Sequence, residues 1–249
     1  MDSIPKYSAT KLSTRDIDAE LMRNSLLAAL PAAELERWRV QLDWVELSLG
    51  DVLNDTGKSP TYAYFPVTAV VSLLCATKNG ESSAIAVVGN EGLVGVSLLM
   101  GGGLATSRAV VHSAGAAYRM SAKVLIDEVN RHGPTLSLML RYINALFIQV
   151  AQTAVCNRHH ALEQQLCRWL LLNLDRLNNA ELLMTQELLA NLLGVRRESV
   201  TENAIKLQDA GVIHYSRGHI YALNRTALEA RSCECYAVVK KEYDRLLFS

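Results

Sequence analysis

A regular spacing of apolar residues between positions 136 and 154 limits how this chain can fold more than any other feature. The residues lie four and three positions apart in alternation, and they are Leu136, Leu140, Ile143, Phe147, Val150 and Ala154. This spacing places all six on one narrow face of a helix, as in helices that pair with a single partner. It predicts a helix over residues 134–157, about 36 Å long. The face could pair with a second copy or lie against the chain's own domain, and the spacing leaves both open.

The residues before Gly133-Pro134 follow a pattern that is typical of strands. Short segments rich in β-branched or aromatic residues alternate with Gly, Asn and Pro, at residues 45–49, 62–65, 70–76, 83–88 and 109–113. They predict an antiparallel β domain, and a helical pattern broken by Pro31 precedes it. Asn79-Gly80 predicts a hairpin turn, because both central positions of such a turn need positive φ.

The segment 182–213 predicts two short helices around a glycine turn. Thr185 suits the N-cap of the first helix, and Gly194 has the backbone freedom that a tight turn needs. The second helix is predicted over residues 197–210. Its predicted buried stripe consists of Val200, Ala204 and Leu207, which leaves the polar side chains at its beginning on the opposite face. Two further strands, at residues 212–215 and 219–223, complete a winged helix-turn-helix, a fold that binds DNA.

These residues carry a resemblance to a known family. The pattern TQELLANLLGVRRESV, followed by LQDAGVI and RGHI, resembles the C-terminal domain of the CRP/FNR superfamily of bacterial transcription regulators. The resemblance implies an α+β fold with three parts. These are an N-terminal antiparallel β-roll of the cyclic-nucleotide-binding type, a long central dimerisation helix, and a C-terminal winged helix-turn-helix. The predicted division is an arm over 1–20, a sensor domain over 21–133, the dimerisation helix over 134–158, the DNA-binding domain over 159–230 and an extension over 231–249.

The resemblance and the exposed side of the predicted helix together give a set of DNA-contacting residues. They are Thr185, Gln186, Arg196, Arg197, Glu198, Ser199, Thr201, Lys206, Arg217 and His219. An Arg can donate two hydrogen bonds to guanine, and a Glu can accept one from cytosine. Arg196 and Glu202 depart from the family's common pattern, so base preference does not transfer. A solvated charged face is the alternative interpretation of Arg196, Arg197 and Glu198.

The resemblance also locates a candidate effector pocket. Family members that bind cyclic AMP use a Gly-Glu pair for the ribose and an Arg with a hydroxyl residue for the phosphate. Here Val94-Gly95-Val96 stands where Phe-Gly-Glu would fall, and Ala109 follows Arg108. The candidate pocket residues are Gly95, Val96, Ser107 and Arg108. Without the ribose carboxylate, control by cyclic AMP is not expected, and an unidentified small-molecule effector stays open.

Charge and composition limit the kinds of partner that the chain can bind. The chain has 25 Lys and Arg and 25 Asp and Glu, so its net charge is zero and does not attract nucleic acid. DNA binding must therefore depend on basic residues placed together on one surface. No signal sequence or membrane span is expected, which makes the cytoplasm the default. The expected partners are double-stranded DNA with an inverted repeat, a second copy of the chain and RNA polymerase.

Two other functions are alternatives to DNA binding. An enzyme built on a metal-binding β barrel would need several ligands on facing strands, and the β region offers only His112. No enzymatic activity is therefore expected. The remaining alternative is a regulator that binds a small molecule or a protein and has lost DNA binding.

The five cysteines are scattered, which suits reduced thiols rather than disulfides. Cys156 lies near His159 and His160, and Cys233 lies two positions before Cys235. Neither group by itself supplies four ligands at a zinc spacing, and no N-terminal cysteine cluster is present. The sequence therefore predicts no metal site and no cofactor.

Overall fold

The computed structural model of the protein describes residues 19–101, 103–177 and 181–247, so nearly all of the predicted N-terminal arm lies outside the described residues. In the described part of the N-terminal half, residues 19–21 are helical and are followed by helices α1 (Ser25–Ala28) and α2 (Ala32–Arg39) and then by strands. The strands are β1 (Asp43–Leu47), β2 (Val52–Asn54), β3 (Tyr62–Pro66), β4 (Val70–Ala76), β5 (Ser82–Val88), β6 (Arg108–Ser113) and β7 (Gly115–Ser121). A 3-10 helix, Val96–Leu98, lies between β5 and β6.

These strands form two antiparallel sheets with orders β1-β7-β3 and β2-β6-β4-β5. An apolar cluster with members from both sheets, among them Val45, Ala117, Val71 and Val111, fills the space between them. Five strands were predicted from the alternation of residue types. β2 and β7 were not, because β2 is three residues long and β7 begins with Gly and two alanines, which carry little strand signal.

The predicted hairpin joins β4 and β5, but its turn differs in detail from the prediction. Gly80 has φ 87°, whereas Asn79 is not among the residues with positive φ. The Gly80 amide donates to the carbonyl of Thr77 and closes a turn in which one residue takes the left-handed conformation. The expectation that both turn residues have positive φ was therefore wrong, although the hairpin is present.

Two helices follow the sheets, α3 (Ala122–Val129), which the sequence did not predict, and α4 (Pro134–His159). The long helix α4 extends two residues beyond its predicted end. It carries two apolar faces. One face is buried against the chain, and its members are Thr135, Leu138, Met139, Tyr142, Ala145, Leu146, Gln149, Thr153 and Cys156.

The other face of α4 is the predicted seam. Within it Leu140 is 54% exposed and Phe147 is 69% exposed, Ala154 is exposed, and Leu136, Ile143 and Val150 are half-buried. The seam is therefore not the face by which α4 packs on its own domain. By length and composition alone α4 could also cross a membrane, but its burial against the sheets accounts for its apolar inner face.

The C-terminal part begins with helix α5 (Leu162–Leu174), which ends three residues before the predicted end. Next come β8 (Glu181–Leu183), α6 (Gln186–Leu193), α7 (Arg197–Asp209), β9 (Ile213–Ser216), β10 (His219–Ala222), α8 (Arg225–Arg231) and α9 (Glu234–Leu247). The three strands form an antiparallel sheet of order β8-β10-β9. β8 was not predicted, because only its pairing with β10 distinguishes these three residues from a loop.

A buried polar contact joins the β domain to α5. The His112 ring lies 2.8 Å from the Ser72 hydroxyl through Nδ1 and 2.5 Å from the Asn173 side-chain oxygen through Nε2. Burial lowers the pKa of His112 to about 4, against the weaker opposing effect of the Asn173 hydrogen bond. The imidazole is therefore neutral at physiological pH.

Candidate nucleic-acid interface

The helix-turn-helix consists of α6 and α7. The Thr185 hydroxyl caps α6 by accepting from the Leu188 amide at 3.1 Å. Gly194 ends α6 with φ 68°, in the left-handed region that favours glycine. The predicted stripe Val200, Ala204 and Leu207 is buried on the inner side of α7, so the helix orientation expected from the sequence is confirmed.

A hydrogen bond fixes the two helices against each other at the outer surface. The Thr201 hydroxyl lies 2.8 Å from the side-chain oxygen of Gln186 and 3.0 Å from the carbonyl of Arg197. Two predicted DNA-contacting residues thus contact each other. Gln186 keeps its amide N–H groups as donors, which suits a phosphate contact.

The first turn of α7 and the wing form an open cleft. It is lined by Thr185, Gln186, Glu187, Arg197, Tyr215, Arg217 and Gly218. The Arg197 side chain is 63% exposed and lies 3.9 Å from the carboxylate of Glu187, which is 71% exposed. Such an exposed pair contributes about 0 to 1 kcal/mol, so it leaves Arg197 able to bind another group. The structure thus brings Arg197 and Arg217 together on one surface.

The tip of the wing is a tight turn. Arg217 has φ 50° and Gly218 has φ 85°, the backbone that two-residue hairpins require. The Tyr215 hydroxyl donates to the carbonyl of Met184 at 2.8 Å and holds β9 against the start of α6. Sequence reasoning missed Tyr215 as a cleft residue, although its place in the first wing strand, two residues before Arg217, is a usable signal.

Arg196 lies elsewhere. It lines a second cleft, between α6 and the β4–β5 hairpin, together with residues that include Thr77, Glu81 and Ser83. Glu198 and Lys206 are exposed, and Ser199 is half-buried. The adjacent Arg196 and Arg197 therefore face different surfaces.

His219 is engaged within the wing. Its ring pairs with the Glu181 carboxylate, which also accepts from the Tyr221 hydroxyl at 2.8 Å. These two hydrogen bonds, that of His219 first, lower the pKa of Glu181. His219 is therefore held by a hydrogen bond within the wing, and it does not line the cleft that contains Arg197 and Arg217.

The candidate effector pocket is a cavity of about 260 Å³ in the β domain. Gly95, Val96 and Ser107 line it, and so do Asn54, Leu73, Met100 and Leu104. Its described lining residues include no charged side chain. Arg108 does not line it; its side chain is 53% exposed and lies 3.8 Å from Asp55. Only three of the four predicted pocket residues therefore meet in the cavity.

Two groups of candidate ligands that lie far apart in the sequence come together in the structure. Cys156, His160, Cys233 and Cys235 offer ligand atoms that all lie within 4.8 Å of one another. Neither group holds four ligands by itself, and tertiary packing makes one set of four. The prediction of no metal site considered the groups singly and missed this arrangement.

Comparison with known proteins identifies the C-terminal part. Residues 164–231 match the family described as the Crp-like helix-turn-helix domain. No curated protein matches the chain.

Solved bacterial structures share the fold of most of this chain at low identity. A protein from Eubacterium rectale, described as a transcriptional regulator of the CRP/FNR family, has a TM-score of 0.64 at 18% identity and covers 82% of this chain and 96% of its own. FixK2 from Bradyrhizobium japonicum has a TM-score of 0.66 at 14% identity, with 77% and 98% covered. A CRP-family transcriptional regulator from Thermus thermophilus has a TM-score of 0.63 at 16% identity, with 75% and 95% covered.

The fold and the C-terminal domain therefore define the class of protein. The chain has the architecture of the CRP/FNR transcription regulators, with an N-terminal β-roll, a long helix and a helix-turn-helix domain of the Crp type. The α+β fold class predicted from the sequence is confirmed, and the predicted resemblance of the C-terminal domain is confirmed over residues 164–231.

Proposed function

We propose that this protein is a homodimeric, sequence-specific DNA-binding transcription regulator. The observation that carries the proposal is the cleft in which Arg197, at the start of α7, and Arg217, at the tip of the wing, lie on one open surface. Helices of this type enter the major groove with their first residues toward the base edges. Arg197 and Glu198 are then the base-reading residues, and Thr185, Gln186 and Arg217 contact phosphates.

The proposed dimer forms through the outer face of α4. Phe147 and Leu140 are large apolar side chains left exposed on the predicted seam. A two-fold axis along this seam presents two α7 helices to successive turns of the major groove, about 34 Å apart. The target is accordingly an inverted repeat.

Charge supports the need for two copies. The segment from Thr185 to Arg225 contains five basic and four acidic residues, a net charge of +1. One of the five, Arg225, is paired with Asp175 and Glu229. A single domain therefore offers little net attraction for phosphate, and doubling the surface supplies the rest.

The cavity in the β-roll supports the proposal that this domain senses an uncharged ligand. Its described lining is apolar apart from hydroxyl side chains and the Asn54 amide, so a phosphate would enter without a cation to meet it. We propose that cyclic AMP is not the effector and that a small neutral molecule fits the cavity better. RNA polymerase as partner, the cytoplasm as location and the absence of catalytic activity complete the proposal.

Selection of DNA from a random pool, followed by mobility-shift titration, tests this function. Arg197→Ala should weaken specific binding by about 1 to 3 kcal/mol and relax preference at one base position. Arg217→Ala should weaken all sequences alike and lower the salt slope by roughly one unit. Arg131→Ala is the matched control, because Arg131 is 60% exposed and lies in the turn between α3 and α4, outside the C-terminal domain.

The outcome separates DNA binding from its alternative. Failure of the wild-type dimer to enrich any sequence would favour a regulator that acts by protein contact. Equal losses for Arg197→Ala and Arg217→Ala on specific and random duplexes would contradict the division between base reading and phosphate contact.

A further inference from the structure

Four soft ligand atoms converge where α4 ends and α9 begins. Cys156 lies in the last turn of α4 and His160 follows the helix as its C-cap. Cys233 directly precedes α9 and Cys235 is its second residue. The three cysteines form a buried cluster of their own, apart from the main core.

The distances suit a single ion. Cys156 Sγ lies 3.5 Å from Cys233 Sγ, and Cys235 Sγ lies 3.7 Å from His160 Nδ1. Around a tetrahedral zinc ion, bonds of about 2.3 Å to sulfur and 2.0 to 2.1 Å to nitrogen place the ligand atoms about 3.5 to 3.8 Å apart. Since all four atoms lie within 4.8 Å of one another, the site has room for one ion and not for a cluster of several irons.

A buried arginine, Arg168, lies close to the cysteine cluster. Arg168 is 4% exposed, and its Nε has no hydrogen-bond partner. Its guanidinium donates to the Thr153 hydroxyl at 2.8 Å, and among the described residues no carboxylate lies within ion-pair distance of it. A zinc ion with three thiolates and a neutral imidazole has a net charge of −1, which compensates Arg168.

The histidine is oriented as a ligand. Its Nδ1 faces Cys235, while its Nε2 lies 3.3 Å from the carboxylate of Glu234. A metal-binding histidine ordinarily donates its second ring N–H to a carboxylate, which fixes the tautomer and raises ligand basicity. The positive end of α9 adds a favourable field for thiolates at Cys233 and Cys235.

We propose that Cys156, His160, Cys233 and Cys235 bind one zinc ion per chain. Soft thiolates with one imidazole in a closed tetrahedral set are the ligands of structural zinc, and the four protein ligands leave no open position. Binding releases the three thiol protons to solvent. The ion joins His160, two residues before α5, and Cys233, two residues after α8, to Cys156 of α4, so it fixes both ends of the C-terminal domain to α4.

Metal content and cobalt spectroscopy test the site without reference to DNA. Wild-type protein purified under reducing conditions should contain one zinc per chain by mass spectrometry. Cys235→Ser should lose most of it, and Cys75→Ser should retain it, because Cys75 is an exposed thiol on β4. Glu234→Gln keeps all four ligands, so it should bind zinc roughly tenfold more weakly.

Wild-type protein from which the metal has been removed provides a second test, which does not depend on the folding of Cys235→Ser. Titration with Co²⁺ should saturate at one ion per chain and give the intense visible bands of a tetrahedral thiolate site. Added zinc should raise the melting temperature of the stripped protein. A purified protein without zinc and without a tetrahedral cobalt spectrum, or with Cys156 and Cys233 joined as a disulfide, would overturn the proposal, as would equal zinc in Cys235→Ser and Cys75→Ser.

Discussion

Phe147 offers the sharpest test of the proposed dimer, because it is the most exposed large side chain on the outer face of α4. A phenylalanine side chain carries roughly 200 Å² of surface, so at 69% exposure about 140 Å² per copy is accessible and could be buried in a dimer interface. In a symmetric pair that amounts to about 280 Å², or about 7 kcal/mol at 25 cal/mol per Å². Alanine keeps about a third of this, and Phe147→Ala should therefore weaken the dimer by at most about 4 to 5 kcal/mol, roughly a thousandfold.

Sedimentation equilibrium over a range of protein concentrations measures this change. Leu140→Ala should give a smaller loss in the same direction. Leu49→Ala is its control, since both leucines are 54% exposed but Leu49 lies in the turn between β1 and β2. A wild-type protein that is monomeric at micromolar concentration, or a Phe147→Ala dimer as tight as the wild type, would refute the assignment of this face.

Three further predictions concern the pocket, the domain contact and the glycine turn. Cyclic AMP at about 100 micromolar should leave the melting temperature unchanged, whereas a rise of several degrees that Arg108→Ala abolishes would show that the pocket binds it. The folded pKa of His112, about 4, lies below its unfolded value of 6.5, so falling pH protonates the unfolded chain first. The free energy of unfolding should therefore drop by about 1.6 kcal/mol between pH 6.5 and pH 5. Urea unfolding of His112→Gln should show a flatter pH dependence, and an equal slope would contradict this origin. Gly194 and Gly211 both have a left-handed backbone, so replacing either with Ala costs about 1 to 2 kcal/mol. An added Cβ at Gly194 also meets the Ser83 side chain at 3.1 Å, so Gly194→Ala should lower the melting temperature more than Gly211→Ala. Equal shifts would argue against that contact.

Local periodicity explains what could be predicted. The helix-turn-helix, its buried stripe and the seam of α4 each depend on residues within a few turns, and the apolar spacing reports directly on which side chains share a face. β4 was predicted with its observed bounds because its β-branched residues lie between clear turn signals. The same local rules did not reveal the buried inner face of α4, because Thr135, Gln149 and Thr153 interrupt its apolar spacing.

The sequence by itself thus determined the class of fold, the direction in which α7 presents Arg197, and the outer seam of α4. Only the tertiary structure decided that Arg196 faces the β-roll while Arg197 faces the wing, and that Arg108 lies outside the cavity. It alone brought Cys156 within 3.5 Å of Cys233, 77 positions away in the chain. Periodicity fixes which face of its own element a residue occupies, whereas contacts between distant elements depend on how whole helices and sheets pack, which no short window of sequence encodes.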